Sequence, residues 1–114
     1  MGASPKPDRY ANRAMAMLSE FGHQVIPVNP AFEHILGERC YASIRDVPGL
    51  VDTVTVYLGK ARSDALVTEI LEKGPRRIIL NPGAENDDLA SQARARDIEV
   101  VEGCTMVMLQ TKGF

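Results

Sequence analysis

Several function classes are closed to this sequence by what it does not contain. No run approaches the ~18 apolar residues needed to cross a bilayer, and no signal-peptide core is visible. The expectation is a cytoplasmic protein with no membrane partner. The formal net charge is only −2, and no basic tract or aromatic-studded basic patch occurs. Nucleic acid is therefore not an expected partner. Cys40 and Cys104 stand far apart, with no C-x-x-C pair and no His/Cys cluster. That argues against zinc and for reduced thiols. His23 and His34 have no Ser, Cys or Asp partner in a recognisable arrangement, and Asp52, Glu85, Asp87 and Asp88 make no general acid and base pair. No catalytic residue is assigned, and the chain is read as a non-enzyme. Internal repeats and low-complexity tracts are absent too.

What is present is an ordinary globular composition: 114 residues, 45% apolar and 25% charged, read as one domain over residues 1–114 with a single core. Near the start lies Gly2-Ala3-Ser4-Pro5-Lys6-Pro7-Asp8-Arg9. Small residues let a backbone approach a ligand closely, and a helix beginning beside them aims unpaired N–H groups at the same place. Lys6 and Arg9 add positive charge, so the stretch reads as a phosphate-cradling turn. Such a turn normally follows a buried strand, whereas only Met1 precedes it here. The reading is that the first strand of the sheet is cut short and that the natural protein begins several apolar residues earlier.

The remaining elements follow from periodicity. Ala14, Met17, Leu18 and Phe21 recur at helical spacing, which predicts a helix from Tyr10 to Phe21. Val25-Ile26-Pro27-Val28 reads as a second strand, with Pro27 placing it near the limit of pairing. Phe32, Ile35 and Leu36 suggest one helical turn ended by Gly37, and Cys40-Tyr41 a minimal strand. Ser43 looks like a cap for a helical turn. Thr53 to Leu58 is the clearest strand by its β-branched content. A helix carrying Leu66, Val67, Ile70 and Leu71 follows, stopped by Lys73-Gly74-Pro75. Ile78 to Leu80 is a buried strand, and Asn86-Asp87-Asp88 starts a helix bearing Leu89, Ala90 and Ala93. Ile98 to Val101 is the last strand, and Thr105 to Leu109 a short helix or strand.

This alternation predicts an α/β fold: a three-layer, Rossmann-like open parallel sheet with helices on both faces. Ligands of such sheets bind beyond the carboxyl ends of the strands. Those ends are Gly2-Ala3-Ser4, Asn29-Pro30, Leu58-Gly59-Lys60 and Asn81-Pro82-Gly83. A nicotinamide dinucleotide site of this kind uses a G-x-G-x-x-G turn and an acidic residue closing the second strand. Neither is present. Coenzyme A instead carries a ribose 3′-phosphate, which a carboxylate would repel and a neutral Asn or a cation would accept.

The segments GASPKPDR, HQVIPVNPAFEHILGERCYASIRDVP, VDTVTVYL, RRIILNPGAEN and GCTMVML together resemble the small stand-alone CoA-binding proteins of bacteria and archaea. Related domains occur in the CoA-ligating subunit of succinyl-CoA synthetase. The resemblance implies a domain that binds coenzyme A with no established reaction of its own. It implies that Gly2, Ala3 and Ser4 face the pyrophosphate, with Lys6 and Arg9 nearby. Val28, Asn29 and Pro30 would line the adenosine pocket, and the loop after Leu58 would close the other side, with Asn81, Pro82 and Gly83 at the next strand end. Relatives tend to place an aromatic and a basic residue at the Leu58 strand end. This chain has Tyr57-Leu58-Gly59-Lys60, which leaves open whether Lys60 or Arg62 meets a phosphate. Cys104, between Gly103 and Thr105, reads first as an inert buried cysteine; the sharper alternative, from its place near a helix start, is a thiol that forms a mixed disulfide with CoA. The partner expected is a small molecule, CoA or acyl-CoA, with any protein partner unknown. The alternatives are an NAD(P)-dependent oxidoreductase and a ligand-free interaction domain of the same fold.

Overall fold

A computed structural model describes residues 1–114. Its centre is a parallel sheet of β3 (Thr53–Val56), β4 (Arg77–Leu80) and β5 (Glu99–Glu102), ordered β3-β4-β5. The strands run in register, Thr53 beside Arg77 and Arg77 beside Glu99. Val54 and Val56 of β3 are buried while Thr53 and Thr55, which alternate with them, are half-buried, and all four residues of β4 are buried. That contrast is the mark of an outer and a central strand. Preceding these, β1 (His34–Ile35) and β2 (Glu38–Arg39) form a separate antiparallel hairpin.

Helices cover both faces. Val54, Val56, Ile78 and Leu80 pack against α3 (Val67–Lys73) and α4 (Asp87–Ala95), through Val67, Ile70, Leu71, Leu89, Ala90 and Ala93. Each fully buried aliphatic side chain there contributes on the order of 2 kcal/mol of transfer free energy. On the opposite face α1 (Tyr10–Glu20) lies beside α5 (Thr105–Gln110). The short α2 (Lys60–Ser63) leads into α3. Capping follows the sequence: the Ser43 hydroxyl accepts from Arg45 N–H, and Asn86 Oδ1 accepts from Leu89 N–H.

Two expectations need correction. The strand read at Val25–Val28 shrinks to a single parallel bridge between Val28 and Tyr41, because Pro27 has no N–H to donate. The helical turn read through Phe32, Ile35 and Leu36 is instead the β1–β2 hairpin. Leu36 and Gly37 at its tip have φ of +52° and +77°, a left-handed pair that joins antiparallel strands and cannot continue a helix.

Met1 and Gly2 lie between these two parts. The Met1 ammonium donates to the Thr55 carbonyl (2.7 Å), Tyr57 N–H donates to the Met1 carbonyl (3.1 Å), and Gly2 N–H donates to Val28 (3.1 Å). Main-chain bonding thus runs Tyr41, Val28, Met1-Gly2, β3, β4, β5, the order of a doubly wound nucleotide-binding sheet.

Burial holds the Met1 ammonium down from 8.0 to about 5, since a charge there is stripped of water. Where that amine is free, the unfolded chain binds the extra proton between those two values, so stability rises with pH across that window. The loss expected on going from pH 8 to pH 5 is up to about 4 kcal/mol. Urea denaturation at several pH values checks it, with an amine-acetylated sample, which should lack this slope, as the control.

Candidate functional site

The turn after Met1 is fixed from behind. Gly2 adopts φ +81°, and a Cβ there would stand 3.0 Å from the Leu58 side chain, so only glycine fits without strain. Asn29 Nδ2 donates to the Ala3 carbonyl (2.7 Å) while its Oδ1 accepts from Ala31 N–H (2.8 Å). Asn12 Nδ2 donates to the Ser4 carbonyl (2.9 Å). With their carbonyls engaged, the amides of Ala3 and Ser4 have no partner within the protein. At the start of α1 the amides of Tyr10, Ala11 and Asn12 are unpaired as well, and Arg9 supplies no side-chain cap. Five main-chain donors are therefore left free around one turn, where a helix dipole also favours negative charge.

All of these donor residues but Asn12 border a cavity of about 670 Å³. Of the residues singled out in the sequence, Gly2, Ala3, Ser4, Lys6, Arg9, Asn29, Arg62, Asn81 and Pro82 line it. Val28, Pro30, Lys60 and Gly83 do not. Val28 is buried in its bridge to Tyr41, and Pro30 is exposed on the surface beyond it. Gly83 N–H is taken by the Glu85 carboxylate. Lys60 Nζ bonds Asp64 (2.9 Å) and Asp88 (3.1 Å), and these carboxylates raise its pKa. Lys6, Arg9 and Arg62 form no ion pair. Of the two basic residues in the loop after Leu58, Arg62 is the one that borders the cavity.

The remaining wall is mostly apolar, and its Tyr10, Phe32 and Val107 escaped the sequence reading. Tyr10, Phe32 and Val107 line the cavity although 66%, 39% and 52% exposed. A large apolar side chain left open beside a cavity is a binding-surface signal, but its exposure is set by tertiary packing. Tyr57, Leu58, Met106 and Cys104 complete the wall. The Tyr57 hydroxyl is buried with no hydrogen-bond partner, and Cys104 is half-buried at the start of α5. Both cysteines are free. No carboxylate and no imidazole lines the cavity, and no group of three or more His, Cys, Asp or Glu could hold a metal ion.

Asn81 is the structural hinge of this wall. Its Nδ2 donates to the Val56 carbonyl (2.9 Å), and its Oδ1 accepts from both the N–H and the hydroxyl of Thr105 (2.9 Å each). One buried amide thereby ties the ends of β3 and β4 to the start of α5.

A doubly wound sheet with free amides and unpaired cations gathered past its strand ends defines a nucleotide-binding domain. The chain belongs to the CoA binding domain family, whose model matches residues 1–110. It is 24% identical over 101 residues to the uncharacterised protein YneT of Bacillus subtilis, a match covering 89% of this chain and 75% of YneT. It is 30% identical over 81 residues to the alpha subunit of ADP-forming acetate–CoA ligase II of Pyrococcus furiosus. That match covers 70% of this chain but 18% of the subunit, so the chain corresponds to a small part of the ligase. A hypothetical protein of Pyrococcus horikoshii OT3 shares the fold with a TM-score of 0.92 at 32% identity, over 96% of this chain and 78% of that one. A dinucleotide-forming acetyl-coenzyme A synthetase of Ca. Korarchaeum cryptofilum matches in fold, with a TM-score of 0.76 at 21% identity, over 90% of this chain and 24% of that one. No helix is long and apolar enough to cross a membrane.

Asn81→Ala is expected to lower stability by about 2–4 kcal/mol, because the Thr105 N–H and hydroxyl lose their shared acceptor while buried. Chemical denaturation of the variant measures this. A change below about 0.5 kcal/mol would mean that the amide does not hold the wall.

Proposed function

We propose that this chain is a single CoA-binding domain that holds coenzyme A or an acyl-CoA without transforming it. The observation that carries the reading is the meeting, on one cavity, of free main-chain donors at Ala3, Ser4, Tyr10 and Ala11 with three unpaired cations, Lys6, Arg9 and Arg62. The pyrophosphate would take the amides of Ala3 and Ser4 and the start of α1. The ribose 3′-phosphate would take a cation, with Arg62 better placed than Lys60, whose charge Asp64 and Asp88 already satisfy. The apolar wall of Tyr10, Phe32, Met106 and Val107 suits the adenine ring and the pantetheine arm. Asn29, which closes the second strand, offers no carboxylate to a nicotinamide dinucleotide's ribose, and its amide is already engaged with the turn. Val28 and Pro30 would shape the adenosine side only from behind, and Gly83 would act through the loop it belongs to.

A binding role fits the wall itself, whose main-chain donors, cations and apolar side chains are groups that hold a ligand. Cys104 shares that wall and is where a ligand thiol would find a protein thiol. Two free cysteines suit a cytoplasmic setting.

Calorimetric titration with CoA, dephospho-CoA, acetyl-CoA, NAD and NADP tests the proposal. Micromolar CoA binding is expected, weakened roughly tenfold or more by Lys6→Ala/Arg9→Ala and by Arg62→Ala, and much less by Lys60→Ala. Dephospho-CoA should bind more weakly than CoA. NAD binding as tight as CoA binding would overturn the assignment in favour of the oxidoreductase reading.

A further inference from the structure

The single turn of α2 carries two cations, and the cavity takes only one of them. Arg62 borders it and Lys60 does not. We propose that Asn86 is the positioning residue that makes this choice. It fixes the rotation of α2 from the side of α4, so that Arg62 faces the ligand, and thereby sets selectivity for a ligand that carries the ribose 3′-phosphate. The proposal deepens the CoA reading and rests on it.

The hydrogen bonds of Asn86 carry the argument. As the cap of α4 it needs only its side-chain oxygen, which accepts from Leu89 N–H (3.1 Å). Serine or aspartate would cap as well. Asparagine adds two N–H donors, and both go to the other element: Nδ2 donates to Ser63 Oγ (2.8 Å) and to Asp64 Oδ1 (3.0 Å). Asn86 and Ser63 are both buried, so water cannot replace the bond between them. The Asp64 carboxylate makes the other bond charge-assisted. An aspartate in place of Asn86 would cap α4 but would face Asp64 with a second carboxylate.

Helix geometry turns this hold into a direction. The helical backbone continues through Ser63 and Asp64, with φ of −70° and −56°. Residues three and four apart share a side, which groups Lys60, Ser63 and Asp64, while Arg62 lies about 200° round the axis from Lys60. With Ser63 and Asp64 tied to Asn86, the grouped side turns toward α4 and Arg62 toward the cavity. A helix of one turn is not stable by itself, and Gly59 gives this one no side-chain cap, so what it is tied to sets its orientation. The pairs from Lys60 to Asp64 and Asp88 act on the same side but are exposed and weak, which leaves the holding to the amide of Asn86.

The test uses Asn86→Ser, which keeps a cap on α4, and Asp64→Ala, an exposed change that leaves the core untouched. Two quantities are read. One is hydrogen exchange, without ligand, at the Ser63 and Asp64 amides, which bond the Gly59 and Lys60 carbonyls. The other is the ratio of the dephospho-CoA and CoA dissociation constants, measured by calorimetry. Both variants are expected to speed the exchange and to lower the ratio roughly fivefold or more. Arg62→Ala should lower the ratio as far without altering the exchange, and adding Asn86→Ser to it should lower the ratio no further. Unchanged exchange in both variants would overturn the hold on α2. Equal weakening of the two ligands, which keeps the ratio, would overturn the selectivity role and leave Asn86 a cap alone. A ratio near one in the unaltered protein would instead overturn the CoA reading beneath the inference.

Discussion

The short run of main chain at Met1 and Gly2 is the constraint on which the molecule turns. Three hydrogen bonds place it between the Thr55–Tyr57 edge and Val28, and through it the Val28–Tyr41 half of the molecule joins the three-stranded sheet. The same residues lead directly into the turn at Ala3 and Ser4. Where the sheet places Gly2 therefore decides where the free amides point. A glycine at φ +81°, pressed against Leu58, is the only residue that makes both the bond to Val28 and the turn that follows.

Around that constraint the protein separates groups that hold the turn from groups left for a ligand. Asn29 and Asn12 bind the carbonyls of Ala3 and Ser4, and in doing so orient donors they do not themselves use. Asn81 does the equivalent at the opposite wall by fixing Thr105. The charges divide the same way. Lys60 spans Asp64 and Asp88 and so links the start of α2 to α4, whereas Lys6, Arg9 and Arg62 remain without counter-ions at the cavity. Exposed ion pairs add little stability, so the Lys60 contacts matter for where the loop after Leu58 stands more than for the strength of the fold.

Much of this was legible in the sequence, for local reasons. Helical spacing marked α1, α3 and α4, β-branched runs marked β3 and β4, and Ser43 and Asn86 cap as their positions suggest. The turn of free amides was legible as a candidate site because small residues, cations and a helix start stood together. Ile35 and Leu36 misled because an apolar pair before a glycine fits a helix end as well as a hairpin tip, and only the backbone at Leu36 and Gly37 distinguishes them. The choice between Lys60 and Arg62 depends on Asp88, which belongs to a distant helix, so no local pattern could make it. The apolar wall of Tyr10, Phe32 and Val107 is assembled from three separate segments, and nothing in any one of them announces a shared surface.

The central claim is that the free amides at the turn and at the start of α1 receive phosphate. Backbone amide resonances followed during addition of CoA test it most directly. The largest shifts are expected at Ala3, Ser4, Tyr10 and Ala11, saturating with CoA. Saturable CoA binding that leaves those four amides unmoved and shifts residues elsewhere would contradict it.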